Sequence, residues 1–237
     1  MRINHNIASM VAQGSGRVQN MSLQKSLEKL STGLRINRAS DDAAGLSVSE
    51  QLRSQVRGLK QAQSNASDGI ALLQIAEGAA NEMSSILQRM RELAIQSSND
   101  TLTSTERTYT DTEFQALMSE ISRISSATQY NGMTLLDGAA SSFGVDGGPS
   151  VLHIGANNNN NNVNGTIDTM TVGVDAMTLG ALGITLTTGS VNGTNITSQA
   201  NSFNAIDSID SAIKSVNNMR SDMGAYINRL DHAINNI

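Results

Sequence analysis

The residues whose types could do chemistry are few, and their spacing does not serve it. Asp41 and Asp42 stand side by side, an arrangement that invites reading as a metal-binding or acid–base pair. Neighbours on a helix point about 100° apart, however, and no histidine lies near them in sequence. Their oxygens suit a different task, accepting hydrogen bonds from the free backbone N–H groups of a helix start. His5, His153 and His232 are far apart, no His-Glu-x-x-His occurs, and there is no cysteine. Thiol chemistry, disulfides and the familiar zinc-hydrolase signature are therefore unsupported. No residue is assigned a catalytic, cofactor-binding or metal-binding role: the chain reads as no enzyme, with no cofactor. Asn164, Asn192 and Asn195 each begin an Asn-x-Thr triplet, an acceptor pattern for N-glycans that arises by chance in Asn- and Thr-rich sequence. Ser and Thr between positions 139 and 200 are the preferred candidates for O-glycosylation.

With chemistry set aside, composition points to assembly. The 237 residues contain 3% aromatics and no Trp, too little bulk for one thick core. Ala, Ile, Leu, Val and 11 Met instead suit narrow seams between helices. Sixteen Lys and Arg against 21 Asp and Glu give a net charge of −5, with no basic block to neutralise a phosphate backbone, so nucleic acid is not a partner. The opening residues lack the apolar run of a secretory signal, and no stretch approaches the ~20 apolar residues of a membrane helix. Membrane insertion is not expected, and any exit from the cell must use another signal.

The periodicity outlines long helices. No proline occurs before Pro149. Ile7, Val11, Val18 and Met21, then Leu23, Leu27, Leu30 and Leu34, recur at helical spacing with one shift of phase. Gly33 supplies a stop. From about residue 43 to 98 a second run carries Leu52, Val56, Leu59, Ala66, Leu73, Ala76, Ala80, Met83, Leu87, Met90 and Ala94; as one helix it would span about 80 Å. A turn at 97–101 leads to a third helix striped by Phe114, Leu117, Ile121 and Ile124. Asn131-Gly132 predicts a tight hairpin, since both residues tolerate positive φ. Beyond residue 139 the character changes: Gly, Asn, Thr and Ser dominate, and no Lys or Arg occurs between Arg123 and Lys214. Alternation at Met170, Val172 and Val174, and at Ile184 and Leu186, predicts short strands, while the Asn-rich run 157–162 predicts a loop. A last helix is marked by Ile206, Ile209, Ile213, Val216, Arg220, Met223, Ile227, Leu230, Ile234 and Ile237, a coiled-coil rhythm that only Arg220 interrupts.

The expected fold is mainly α: an elongated antiparallel helical bundle or coiled coil with a small β-hairpin region and a variable, polar, β-rich outer segment. The expected divisions are an N-terminal coiled-coil arm (1–40), a helical core with hairpin (41–138), a variable surface segment (139–200) and a return helix (201–237).

Particular stretches sharpen this. The opening Met1-Arg2-Ile3-Asn4-His5-Asn6-Ile7, the run Leu30-Ser31-Thr32-Gly33-Leu34-Arg35-Ile36-Asn37-Arg38-Ala39-Ser40-Asp41-Asp42-Ala43-Ala44-Gly45-Leu46, the helix segment Leu87 to Gln96, the hairpin Tyr130 to Gly138 and the segment Gly224 to Leu230 resemble bacterial flagellin, the filament subunit of the flagellum. The resemblance implies a homopolymer whose inner tube is lined by the terminal helices, whose wall is the helical core and whose exterior is the variable segment. It implies export by the flagellar type III apparatus with a chaperone, contacts with filament cap and junction proteins, and an extracellular location, or a periplasmic one in a spirochaete. It also carries a site: Arg89, Leu93 and Gln96, with Glu113 on the next helix, match the patch that the vertebrate receptor TLR5 recognises, and the same residues serve as subunit contacts in the wall. Residues 89, 93 and 96 are four and three apart and share one helix face. Family members continue past the position of Ile237 into a second apolar helix that pairs with the first arm. The expectation is that this chain alone polymerises poorly, and long filaments formed by it alone would refute that. Two other readings are weighed: a hook–filament junction protein, and a secreted adhesin acting through residues 139–200, which deleting that segment would disable.

Overall fold

The computed structural model describes residues 6–138, 150–157, 168–185 and 194–237. Four helices and two small antiparallel sheets follow in the order α1 (Ile7–Thr32), α2 (Ala43–Ser97), α3 (Ser104–Ala127), β1 (Gln129–Tyr130), β2 (Met133–Thr134), β3 (Ser150–His153), β4 (Thr169–Val172) and α4 (Gln199–Asn236). The fold is mainly α, as the periodicity predicts. The chain forms two compact units, Met1–Arg57 and Gly58–Ile237.

In the first unit, α1 starts at Asn6, whose side chain accepts from the N–H of Ser9 at 3.2 Å, and stops at Gly33 with φ of +69°. That left-handed cap is nearly free for glycine and costly for residues with a Cβ. The Asp pair divides its labour. Asp42 caps α2 by accepting from the N–H of Gly45 at 2.8 Å, whereas Asp41 receives the Lys25 ammonium at 2.6 Å. Lys25 and the backbone N–H of Asn37 together hold the Asp41 carboxyl below its usual pKa. Arg38 reaches back to Glu28 at 3.0 Å, so the loop after α1 is tied to the end of that helix. None of α1 is buried. Its apolar stripe, from Ile7 and Val11 to Leu30 and Leu34, lies open, as do Val48, Leu52 and Val56 of α2.

The second unit holds the core. Hydrogen bonds and contacts fix the helix directions: Gln199 donates to the Ser98 carbonyl, Arg91 binds Asp210, and Leu230 lies beside Gly69. As α4 advances, its partners on α2 recede, so the two are antiparallel. Likewise Arg107 meets the Ser97 carbonyl and Glu113 meets Arg89, setting α3 antiparallel to α2. A capping box starts α3, with Thr103 and Glu106 each satisfying the other's backbone N–H. Leu73, Met83, Leu87 and Met90 of α2, Phe114, Met118 and Ile121 of α3, and Ile209, Val216 and Met223 of α4 close on one another. Burial of each such side chain contributes roughly 1.5–3 kcal/mol.

The α4 seam differs in register from the expected one. Its buried line is Ser202, Ala205, Ile209, Ala212, Val216, Met219, Met223 and Leu230. Ile206, Ile213, Ile227 and Ile234 are only half-buried at its flank, and Arg220 stands beside the seam instead of interrupting it. Alanines at the centre let the helix backbones approach, and the isoleucines then close the edges.

Asn131 (φ +50°) and Gly132 (φ +79°) make the predicted turn between β1 and β2. The expected strand at Met170 is β4, paired with β3 so that Leu152 faces Met170. Ile184 lies in no strand: its N–H donates to the Leu179 carbonyl in a turn, and Leu186 falls outside the described residues. So do Asn164, Asn192 and most of the Asn-rich run. Asn195 is half-buried, and its side-chain oxygen accepts from Thr197 and Asn201.

Candidate interface

The α2 and α3 faces that carry Arg89 and Glu113 are positioned by the core beneath them. Met90, Ala94 and Ser97 on α2 and Phe114 on α3 are buried, which turns Arg89, Gln96 and Glu113 outward. The Arg89 guanidinium donates through Nε and Nη2 to one Glu113 oxygen, at 3.0 and 2.9 Å, and through Nη1 to Glu92 at 3.1 Å. Glu113, and after it Glu92, raise the arginine's pKa. Half of each of the Arg89 and Glu113 side chains remains open to water, so this bridge orients a polar surface more than it stabilises the fold.

Leu93 is placed differently from its companions. Only 1% of it is accessible, because it lies three positions after Met90 and four before Ser97 and shares their seam. The structure thus brings Arg89 and Glu113 together, leaves Gln96 on the same outer side, and puts Leu93 underneath. In this conformation Leu93 supports the surface from within and presents no side chain to a partner.

A second polar constellation was not legible from the sequence. Where the chain re-enters the core, the Ile196 carbonyl accepts from the hydroxyls of Ser97 and Ser202, and its N–H donates to Asp111 at 2.9 Å. Gln115 donates to the Thr194 carbonyl, and Gln199 to that of Ser98. Arg107 closes the end of α2 by donating to the carbonyls of Ser97 and Asn99. These residues are up to about a hundred positions apart, so local patterning gives no sign of them; the buried serines are the only hint. Among the described residues no group of three or more metal-ligating side chains occurs, and no helix is long and apolar enough to cross a membrane.

The family model of the bacterial flagellin N-terminal helical region matches residues 3–141, and that of the C-terminal helical region matches residues 206–237. The chain belongs to the bacterial flagellin family. It is 42% identical over 241 residues to flagellin FlaB2 of Treponema pallidum, covering 99% of this chain and 80% of that one. It is 43% identical to a flagellin of Halalkalibacterium halodurans, covering 100% and 80%, and 42% identical to the flagellin of Bacillus subtilis, covering 100% and 82%. Among solved structures, Bacillus cereus flagellin superposes with a TM-score of 0.58 at 32% identity, over 74% of this chain and 89% of that one. A putative flagellar hook-associated protein from Vibrio parahaemolyticus reaches 0.58 at 20% identity over 84% and 93%, a likeness of fold alone. As a flagellin-family member the chain is a structural subunit that polymerises into the flagellar filament, and not an enzyme. The open stripes of its first unit fit that role, since apolar surface of this extent needs a partner.

Proposed function

We propose that this flagellin is exported by the flagellar type III apparatus with a chaperone and added beneath the filament cap, next to junction proteins at the filament base. There it forms part of a propeller that drives motility. Residues 1–40 line the inner tube, 41–138 and 201–237 form the wall, and 139–200 face outward. The observation carrying this reading is the contrast between the units: an N-terminal helix with no buried residue, and a continuous apolar core among the described residues of the second unit. An amphipathic helix whose apolar stripe lies open is built to pack against a partner helix, as the terminal helices of the family do in the filament's inner tube. The location is the extracellular filament, or the periplasm if the source is a spirochaete.

The same reading assigns the outer face of α2 and α3 to the wall. Arg89, Gln96 and Glu113 contact a neighbouring subunit there, and TLR5 when the monomer is free, with Leu93 supporting them from below. Flagella from cells carrying Arg89→Ala, and reporter cells exposed to the monomer, test this. Reduced filament yield and reduced signalling are expected; unchanged signalling would remove Arg89 from the receptor surface.

A further inference from the structure

Asn131 and Gly132 carry a chemistry of their own, and the hairpin they close controls it. An asparagine carboxamide is open to attack by the backbone nitrogen of the next residue when that nitrogen is unhindered, and glycine hinders it least. Both residues are exposed, and nothing lies within 4 Å of where a Cβ on Gly132 would stand. Their φ values of +50° and +79° are those of a type I′ turn, in which ψ of the first central residue is about +30°. That angle swings the Gly132 nitrogen away from Asn131 Cγ, so the pair cannot react while the turn is closed. Two residue pairs hold it closed, Gln129 with Thr134 and Tyr130 with Met133. Beneath them the Leu135 N–H donates to the Thr128 carbonyl at 3.0 Å, and Leu135 and Leu136 are buried. The base of the hairpin is therefore fixed, while so short a tip opens on its own.

We propose that Asn131 is a self-modification site, converted to aspartate and isoaspartate whenever the hairpin tip opens. In the open tip the Gly132 nitrogen gives its proton to solvent base and attacks Asn131 Cγ. The new N–Cγ bond closes a five-membered succinimide, and the bond from Cγ to the side-chain nitrogen breaks, releasing ammonia. Water then opens the ring at one of its two carbonyls. Attack at Cγ leaves aspartate, whereas attack at the backbone carbonyl leaves isoaspartate, with the chain running through the former side chain. The sum is one water consumed and one ammonia released, with no oxidant or reductant. Both products add a negative charge, but they differ in what the turn does next. Asp-Gly still suits a type I′ turn, so the aspartate form closes again. Isoaspartate inserts an extra carbon into the backbone, which a two-residue turn has no room for, so that form loses the pairing of Tyr130 with Met133.

Peptide mapping by mass over time tests this, on the purified chain folded in buffer and unfolded in urea at the same pH. Asn164-Gly165 and Asn192-Gly193 repeat the dipeptide and calibrate the unfolded chain, where all three sites should convert at similar rates. In the folded chain Asn131 should convert about ten- to a hundredfold more slowly than in urea, as befits a local opening far easier than global unfolding. Its rate should rise with pH, because only the deprotonated nitrogen attacks. Leu87→Ala, which weakens the core, separates the two routes to reaction: the folded-state rate at Asn131 stays unchanged if the tip opens alone and climbs if the whole unit must unfold. A climb overturns the proposal. So does equal conversion in buffer and urea, or no conversion at Asn131 in the folded chain after hundreds of unfolded-state half-lives. Amide exchange checks the products: Asn131→Asp should keep the protection of the Tyr130–Met133 pair, and the isolated isoaspartate form should lose it. Protection retained in the isoaspartate form overturns the structural consequence.

Discussion

Leu87 and Leu30 are the same residue in opposite circumstances, and replacing each by alanine separates folding from assembly. Leu87 is fully buried against the helices of the second unit, while Leu30 is 79% exposed. Leu87→Ala removes buried methyl groups and leaves a cavity, at a cost of about 2–5 kcal/mol. In a unit of this size each kcal/mol moves the melting midpoint by about 2–4 °C, so a cost near 3 kcal/mol predicts a fall of about 6–12 °C. Leu30→Ala in this 237-residue chain should change stability by less than about 0.5 kcal/mol, or about 2 °C, because its side chain is open to water among the described residues. Its effect should appear in filament yield, where the stripe has a neighbour to bury against. Thermal denaturation of the monomer, followed by circular dichroism at 222 nm, measures the first quantity, and the mass of sheared filaments measures the second. Equal falls in midpoint for the two variants would refute the division into a closed core and an open stripe.

Other outcomes follow from single contacts. Asp111→Ala strands the Ile196 N–H and should lower stability by about 1–3 kcal/mol, read from a denaturant midpoint; an unchanged midpoint would remove the clamp around Ile196 from the stabilising contacts. Gly132→Val forces a β-branched residue into a left-handed turn and should disrupt the pairing of Tyr130 with Met133, visible as loss of slow amide exchange there. Native carboxyl pKa values of Asp41, Glu106 and Glu120 lie below their usual ones. Their contribution is therefore present above the unfolded-state pKa and is lost as pH falls through the lower folded-state values. The melting midpoint should drop between about pH 5 and the folded values, and Glu106→Gln should flatten part of that drop.

What the sequence disclosed was local. Gly33, Asp42 and Asn131-Gly132 announce their roles because a stop, a cap and a primed turn each need particular residues at one place. The helix stripes are equally plain, since burial repeats along a single element. The register of α4 was harder: Ile209, Val216, Met223 and Leu230 belong to both candidate lines, and hydropathy favours Ile206 and Ile213 over Ala205 and Ala212. Packing favours the alanines, because close approach of two backbones needs small side chains between them. Leu93 shows the same limit, for spacing places it on the face of Arg89 and Gln96 but cannot say how deep it lies. The clamp around Ile196 joins positions 97, 111 and 202 and could be seen only after the chain had folded.

The central claim is that the exposed apolar stripes of the first unit are closed by helix packing in the assembled filament. A cryo-EM helical reconstruction of filaments from the source bacterium tests it most directly. The account predicts Leu23, Leu27, Leu30 and Leu34 buried against other helices inside the filament, with α2, α3 and α4 packed as in the monomer. A filament in which those leucines face solvent would contradict it.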